Sequence, residues 1–248
     1  MLTIKRTLLL ALKLVVVFSW GTAQTAALAL PDSIYTGAQG KFHMQGMAID
    51  QGNKCIYFSF TNKLVKTDLA GNLIGSVTGC SWHRGDVDFN MRDGRIYGSL
   101  EYKADAIGKG ISNTLGIAAA QENGFYIAIF DGAKIVRPNM DAEKEDLLQT
   151  VYLQEPVSDY DATVQIDGDT KRHRYACSGI DGLTFGPSFG VKENNNQYLY
   201  VAYGIYGDTT RNDNDYQVIL KYDIANWNSY EQPLFQGALH RSGPVVPM

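Results

Sequence analysis

A short phrase recurs along this chain and constrains its fold more than any other feature. It reads His43-Met44-Gln45-Gly46-Met47-Ala48-Ile49-Asp50, then His83-Arg84-Gly85-Asp86-Val87-Asp88-Phe89-Asn90, then Ile180-Asp181-Gly182-Leu183-Thr184-Phe185-Gly186-Pro187. A fourth beginning, His240-Arg241-Ser242-Gly243, stands five residues before the last one. Each phrase sets a glycine at the head of an apolar run of strand length. Units too small to bury a core alone must stack on their neighbours. The expected product is an array of similar sheets. A chain that closes on the opening of such a phrase is expected to belong to a longer protein, or to complete a ring from several copies.

Strands follow each glycine. Gln51-Gly52-Asn53 supplies turn residues, and 55–60, 64–68 and 73–77 read as three further strands with short joints at Asn62-Lys63 and Ala70-Gly71-Asn72. In the second unit Asp93-Gly94 turns into a strand at 96–102. An insertion occupies 103–123, and strands follow at 125–131 and 147–153. The third unit offers 198–203 and 218–223 around a polar excursion at 207–215. Third strands end alike, in Thr67-Asp68-Leu69-Ala70, Phe130-Asp131-Gly132-Ala133 and Tyr222-Asp223-Ile224-Ala225. Cys80-Ser81 and Cys177-Ser178 each stand five residues before a phrase glycine.

This pattern predicts an all-β fold of β-propeller-like blades, each of four antiparallel strands. About three blades are expected, at 43–79, 83–154 and 180–236, with the start of a fourth at 240–248, an incomplete propeller. A two-sheet sandwich is the alternative, but it does not account for the matched glycines and aspartates. Helix is expected only as a turn or two within 141–149 and 111–121.

The run Gln45-Gly46-Met47-Ala48-Ile49-Asp50, then Ile56-Tyr57, then Leu64-Val65-Lys66-Thr67-Asp68 resembles blades of the NHL, YWTD and gluconolactonase/regucalcin-like propellers. It is also similar to exported propeller proteins of bacteria. The likeness extends over 43–248 as a pattern. It implies the fold. It does not imply an activity, because propellers host hydrolases, lyases, receptors and scaffolds alike.

The N-terminus reads as a secretory signal peptide over 1–29. Lys5 and Arg6 precede an apolar stretch at 8–20 broken by Lys13 and Ser19, and Ala27-Leu28-Ala29 fits a small-x-small cleavage site. A membrane anchor is the rival reading, but Lys13 splits the run well short of the roughly 20 residues a span needs. The expected mature domain, 30–248, is exported to a periplasmic, cell-surface or secreted location with no membrane span. Its net charge falls from −4 to about −7 once the three basic residues of the leader are removed. Such acidity excludes nucleic acid as a natural partner. A small molecule, a carbohydrate or a protein remains. The three cysteines, Cys55, Cys80 and Cys177, form no Cys-x-x-Cys. Cys80 and Cys177 hold equivalent places and are either bonded or buried as thiols.

In a propeller the first strands line a central channel. Residues around the phrase glycines would then share one mouth: His43, Gln45, His83, Arg84, Asp86, Asp181, His240 and Arg241. The plainer reading is that they are ordinary polar residues at strand entries. Gluconolactonase-like enzymes hold one divalent cation with oxygen ligands at this place. That resemblance makes Asp86, Glu101 and Asp181 the carboxylates to test, with calcium as the sort of hard cation they would prefer and an ester or lactone as substrate for a metal-bound water. Asp86 and Asp88 share a strand face. Asp159-Tyr160-Asp161 and Asp167-Gly168-Asp169 read as a solvated acidic loop, and the strand tyrosines as packing residues. No nucleophile elbow, phosphate loop or zinc-protease motif is present. Two functions stay open: an exported binding module, or a metal-dependent hydrolase or lactonase.

Overall fold

The computed structural model describes residues 30–79, 83–191, 198–204, 211, 218–229 and 231–233. The leader at 1–29, Cys80 and the fourth phrase with His240 and Arg241 lie outside the described residues.

The described chain is mostly β, arranged in sheets that are antiparallel except for one short parallel pairing, none of them closed. The first sheet runs β1 (Met44–Asp50), β2 (Cys55–Phe60), β3 (Lys63–Asp68) and β4 (Leu73–Thr78) in simple meander order. The second joins β5 (His83–Asn90), β6 (Arg95–Tyr102), β7 (Gly124–Asp131) and β9 (Leu148–Tyr152). The third holds β12 (Ile180–Gly186), β13 (Tyr198–Tyr203) and β14 (Val218–Asp223). These bounds follow the expected strands closely, because each strand is an apolar run bracketed by turn residues.

Two short strands pair outside the sheet of their sequence neighbours. β8 (Met140–Asp141) lies between β7 and β9 in sequence, yet it pairs with β4 of the first sheet. β15 (Gln232–Pro233) follows β14, yet it pairs with β9 of the second sheet. In both cases the chain leaves a third strand through a 3-10 turn, Gly132–Lys134 or Trp227–Ser229, and covers the outer edge of the preceding sheet. An uncovered edge exposes unpaired backbone groups, so this stitching gives the first two sheets five strands each rather than four. Arg95 reinforces the second stitch through a two-pronged contact with Glu231, at 2.7 and 2.9 Å.

The first strands carry a common irregularity. Arg84 pairs with Leu100 and Val87 with Gly98, so Gly85 and Asp86 together face Ser99. Ile180 pairs with Tyr203 and Leu183 with Val201, so Asp181 and Gly182 face Ala202. In β1, Met44 pairs with Phe60 and Gly46 with Ser59, which leaves Gln45 as the extra residue. Each is a β-bulge, one surplus residue in one strand. The bulges correct the alignment of the phrases: Gly85 corresponds to Gln45 and Asp181, and Asp86 to Gly46 and Gly182.

Neighbouring sheets also meet in matching ways. β5 lies against β1 and β2, and β12 against β5 and β6. Ser59 Oγ donates to Gly85 O at 2.7 Å, and Ser99 Oγ donates to Asp181 O at 2.6 Å. Tyr57 stacks on Phe89 at 6.5 Å, and Tyr97 meets Phe185 edge-on at 5.0 Å. Both serines are fully buried. Ser59→Ala and Ser99→Ala are each expected to cost about 1–3 kcal/mol, because a buried carbonyl loses its donor. Urea denaturation of the two variants measures this, and clearly unequal losses would contradict the equivalence of the two interfaces.

The third strands end on aspartates with one shared task. Asp68, Asp131 and Asp223 accept from the amides of Ala70, Ala133 and Ala225, at 2.9, 3.1 and 3.0 Å. An Asx turn of this kind stops a strand and starts the next joint.

One apolar cluster runs through all three sheets, with Tyr57, Ile96, Phe125, Phe130, Leu199 and Tyr222 among its members. A second, on the far face of the first sheet, gathers Ile56, Phe58, Phe60 and Val65, with Ile34 packed on it. Of the six strand tyrosines read as mostly packing residues, Tyr57, Tyr97, Tyr102, Tyr200 and Tyr203 are buried and Tyr198 is half-buried.

One helix overlaps an expected stretch and the other falls elsewhere. α1 (Ala106–Leu115) starts at Asp105, whose side chain accepts from Gly108 N, and stops at left-handed Gly116. It begins five residues before the expected 111–121, while 141–149 forms turns and strand. α2 (Gln154–Asp161) contains the stretch read as an acidic loop. Its Val157 and Tyr160, three apart on one face, are buried, and Tyr160 packs against Phe125 of β7. Asp167-Gly168, both at positive φ, is the two-residue turn between β10 (Thr163–Ile166) and β11 (Asp169–Arg172).

Candidate functional site

The bulges gather the candidate residues where β5 and β12 adjoin. Alternation along β5 sends Asp86 and Asp88 to one face, toward β12. Asp86 accepts from its neighbour Val87 N at 2.9 Å and also from Leu183 N. Asp88 accepts from Phe89 N at 2.8 Å, Phe185 N at 2.8 Å and Thr184 Oγ1 at 2.9 Å. Leu183 and Phe185 are two apart, so these amides lie on one edge of β12. The two aspartates thus act as side-chain rungs between the second and third sheets.

Behind them sits a buried ionic group. Glu101, at the end of β6, meets Lys103 Nζ at 3.0 Å and His83 Nδ1 at 3.1 Å, and accepts from Ile180 N at 2.6 Å. Lys103 also donates to Ser178 O at 3.0 Å. The side chains of Glu101 and Lys103 are only 3% and 4% exposed. A buried carboxylate is tolerable when it is paired and hydrogen-bonded. Gly179, at φ +151, makes room for it: a Cβ there would overlap the Glu101 carboxylate.

Asp181 stands beside this group at the bulge of β12. Burial raises its pKa above the usual carboxylate value; His83 and Lys103 pull it back and Glu101 pushes it further up. Burial likewise raises Asp86, opposed by the amides of Val87 and Leu183 and assisted by the charges of Asp88 and Asp181. Two half-buried carboxylates that repel one another form a place where a proton, a cation or a donor-rich ligand is welcome.

A pH dependence follows from these directions. A carboxyl group with a raised folded pKa binds its proton more tightly folded than unfolded, where aspartate titrates near about 3.9. Its ionisation therefore costs stability as pH rises through the folded pKa, and acidification toward the unfolded value restores it. Asp181→Asn is expected to raise the unfolding midpoint at pH 7.5, with the gain vanishing by about pH 4. Thermal melts across that range check it.

The other expected mouth residues separate. His43 is exposed ahead of β1, and Gln45 donates to Thr61 Oγ1 at 3.3 Å. Arg84 turns inward. It is fully buried, donates from Nε and Nη2 to Phe60 O at 3.2 and 3.0 Å, and lies over the Phe130 ring. It ties the first sheet to the second. Of the three carboxylates expected for a cation, Asp86 and Asp181 adjoin at the bulges, while Glu101 lies in the buried ionic group. Among the described residues no three His, Cys, Asp or Glu side chains stand where one metal ion would hold them. Glu101 spends its oxygens on Lys103, His83 and Ile180 N instead. Sequence reading missed Lys103, set down as the start of an insertion. Its signal was the spacing Glu101-x-Lys103, opposite charges two apart at a strand end.

The residues of the acidic segment are hydrogen-bond acceptors: Asp159 takes Tyr203 OH at 2.9 Å, and Asp161 takes Asn123 Nδ2 at 2.7 Å. Cys55 is a buried free thiol that donates to Asn53 O. Cys177 is buried, with Sγ 3.7 Å from Tyr203 O, and burial lifts its pKa to about 11.

Comparison with family models, with curated proteins and with solved structures finds no match. No helix among the described residues is long and apolar enough to cross a membrane.

Proposed function

We propose that this chain is an exported binding module whose three sheets are consecutive blades of a β-propeller, with its ligand at the mouth formed by the bulged ends of the first strands. The observation that carries the reading is the bulge shared by β1, β5 and β12, which sets Asp86 and Asp181 half-buried side by side next to His83. First strands lying against one another, sheets joined by matching Ser-to-carbonyl bonds, and outer edges covered by the following unit support the blade assignment. The basic start, apolar run and small-residue site at 1–29 support export.

The ligand class is a donor-rich small molecule, such as a sugar, a divalent cation such as calcium, or a cationic segment of a protein, since the mouth offers acceptors and negative charge. The alternative, a metal-dependent hydrolase or lactonase, needs a cation on the mouth carboxylates. Glu101, already matched by Lys103, is poorly suited to that role. A thermal-shift series on the mature chain with calcium, magnesium, manganese, zinc and neutral and basic sugars tests the proposal. The expected result is a rise with at least one of them that Asp181→Ala and Asp86→Ala abolish. A rise that survives both substitutions would move the site elsewhere, and no response to any ligand would remove the small-ligand reading.

A further inference from the structure

Two mouth residues keep acceptor atoms that the protein itself does not use. The first is His83, which opens β5 directly across from Glu101 of β6. Its Nδ1 lies 3.1 Å from Glu101 Oε2. An ionised carboxylate only accepts, so Nδ1 carries the proton of this contact, and in the neutral ring Nε2 is left bare as an acceptor. Glu101 holds that arrangement because it is itself fixed: Oε1 takes Ile180 N at 2.6 Å and Oε2 meets Lys103 Nζ at 3.0 Å. The His83 side chain is 22% exposed and that of Glu101 only 3%, so the imidazole is the part of this group that a ligand can touch. The second residue is Asp181. It follows Ile180 directly, and its Oδ1 lies against Gly85 of β5. Among the described residues none donates a hydrogen bond to its carboxylate, whereas Asp86 and Asp88 both accept from amides of β12.

We propose that the mouth takes a neutral vicinal diol, as found in sugars and polyols, with one hydroxyl donating to His83 Nε2 and the other to the Asp181 carboxylate. Glu101 is the positioning residue, since it keeps the ring proton on Nδ1 and so leaves Nε2 to the ligand. Lys103 sets the preference for a neutral ligand. Its ammonium, buried beside Glu101, also bears on Asp181. A cation brought to that carboxylate meets a like charge, and a hydroxyl does not. An imidazole nitrogen also adds little for a hard cation such as calcium, which selects oxygen ligands. Two adjacent hydroxyls, by contrast, give each acceptor the donor it lacks. The inference deepens the binding-module reading and rests on the mouth being its ligand site.

The test is long-range proton–nitrogen NMR of the full chain carrying nitrogen-labelled histidine, at about pH 8, where an ordinary imidazole is neutral. His83→Gln assigns the His83 signals. The expected spectrum shows His83 protonated at Nδ1 and bare at Nε2. In Glu101→Gln the amide oxygen keeps Ile180 N and the amide nitrogen faces His83. The ring proton is then expected on Nε2, a change that a merely structural role would not produce. Glycerol, myo-inositol and D-glucose are titrated next, beside calcium chloride and ethanolamine. At least one polyol is expected to shift His83 Nε2, and Asp181→Ala to weaken its binding about tenfold or more. A proton on Nε2 in the unaltered chain would overturn the proposal, even if Glu101→Gln failed to fold. An unchanged tautomer in Glu101→Gln would remove Glu101 as the positioning residue, and polyol binding that survives Asp181→Ala would remove the second acceptor. A shift with calcium or ethanolamine and with no polyol would overturn the diol in favour of a cation and leave the mouth standing as a ligand site. Silence with every probe would overturn the mouth reading itself.

Discussion

Glu101→Ala will destabilise the protein by about 3–5 kcal/mol, the penalty of leaving a buried charge without its partner. The substitution strips Lys103 of its carboxylate although its side chain is only 4% exposed, and it removes the acceptor for Ile180 N. It also opens the space against Gly179. Because Glu101 belongs to β6 while Ile180 opens β12, the loss falls on the joint between the second and third sheets. Hydrogen exchange should show β12 losing protection before β2 or β3. Glu101→Gln is the informative companion, since its amide oxygen can still accept from Ile180 N while the charge is gone. A loss well below that of Glu101→Ala would assign most of the effect to the hydrogen bond. Urea denaturation at pH 7 measures both, and a loss under about 1 kcal/mol for Glu101→Ala would place Lys103 in solvent, against the buried pair described above.

Gly85→Ala is the second large effect, at or above the upper end of the roughly 1–3 kcal/mol that overpacking costs. A Cβ at Gly85 would overlap Asp181 Oδ1, stand 2.5 Å from Ser99 Oγ, and stand 3.0 Å from the backbone oxygen of Asp181. Side chains can swing aside. The backbone of β12 cannot, because Ser99, Asp86 and Asp88 already hold it. Gly182→Ala is the control within the same pattern. Its nearest atom beyond the chain neighbours would be Ala202 Cβ at 3.7 Å, ordinary contact, so the expected change is within about 0.5 kcal/mol. Similar losses at both positions would mean that each phrase glycine is needed for its backbone alone, and the sheet-to-sheet explanation would fail.

These two glycines show what a phrase in one dimension can and cannot carry. The strands, their order and the Asx turns at Asp68, Asp131 and Asp223 were legible, because alternating apolar residues and local turn chemistry act over a few neighbours. Gly85 and Gly182 looked identical for the same reason. One meets the next sheet and the other only Ala202 of its own sheet at ordinary contact distance, and no short window of sequence contains that difference. The register slip, with Gly85 matching Gln45, was hidden because a bulge accepts glycine at either of its two places. α2 was hidden by its composition: Asp159 and Asp161 read as solvent-facing, while Val157 and Tyr160 supply the apolar face that makes the segment a helix.

The candidate site divides along the same line. Asp86 and Asp181 were expected near one mouth, and β5 and β12 bring them together. Arg84 belonged to the same phrase but turned inward to the Phe60 carbonyl, because the bulge at Gly85-Asp86 breaks the alternation that would otherwise set it on the face of Asp86. Glu101, a carboxylate to test for a cation, is the anion of a buried pair with Lys103 and accepts from the amide of Ile180. Sequence by itself determined the β-strands, their meander order and the turns, all set by contacts within a few residues. Tertiary structure alone decided which polar side chains face solvent and which are consumed in holding the sheets together, because that depends on the Coulombic and hydrogen-bonding partners supplied from another sheet.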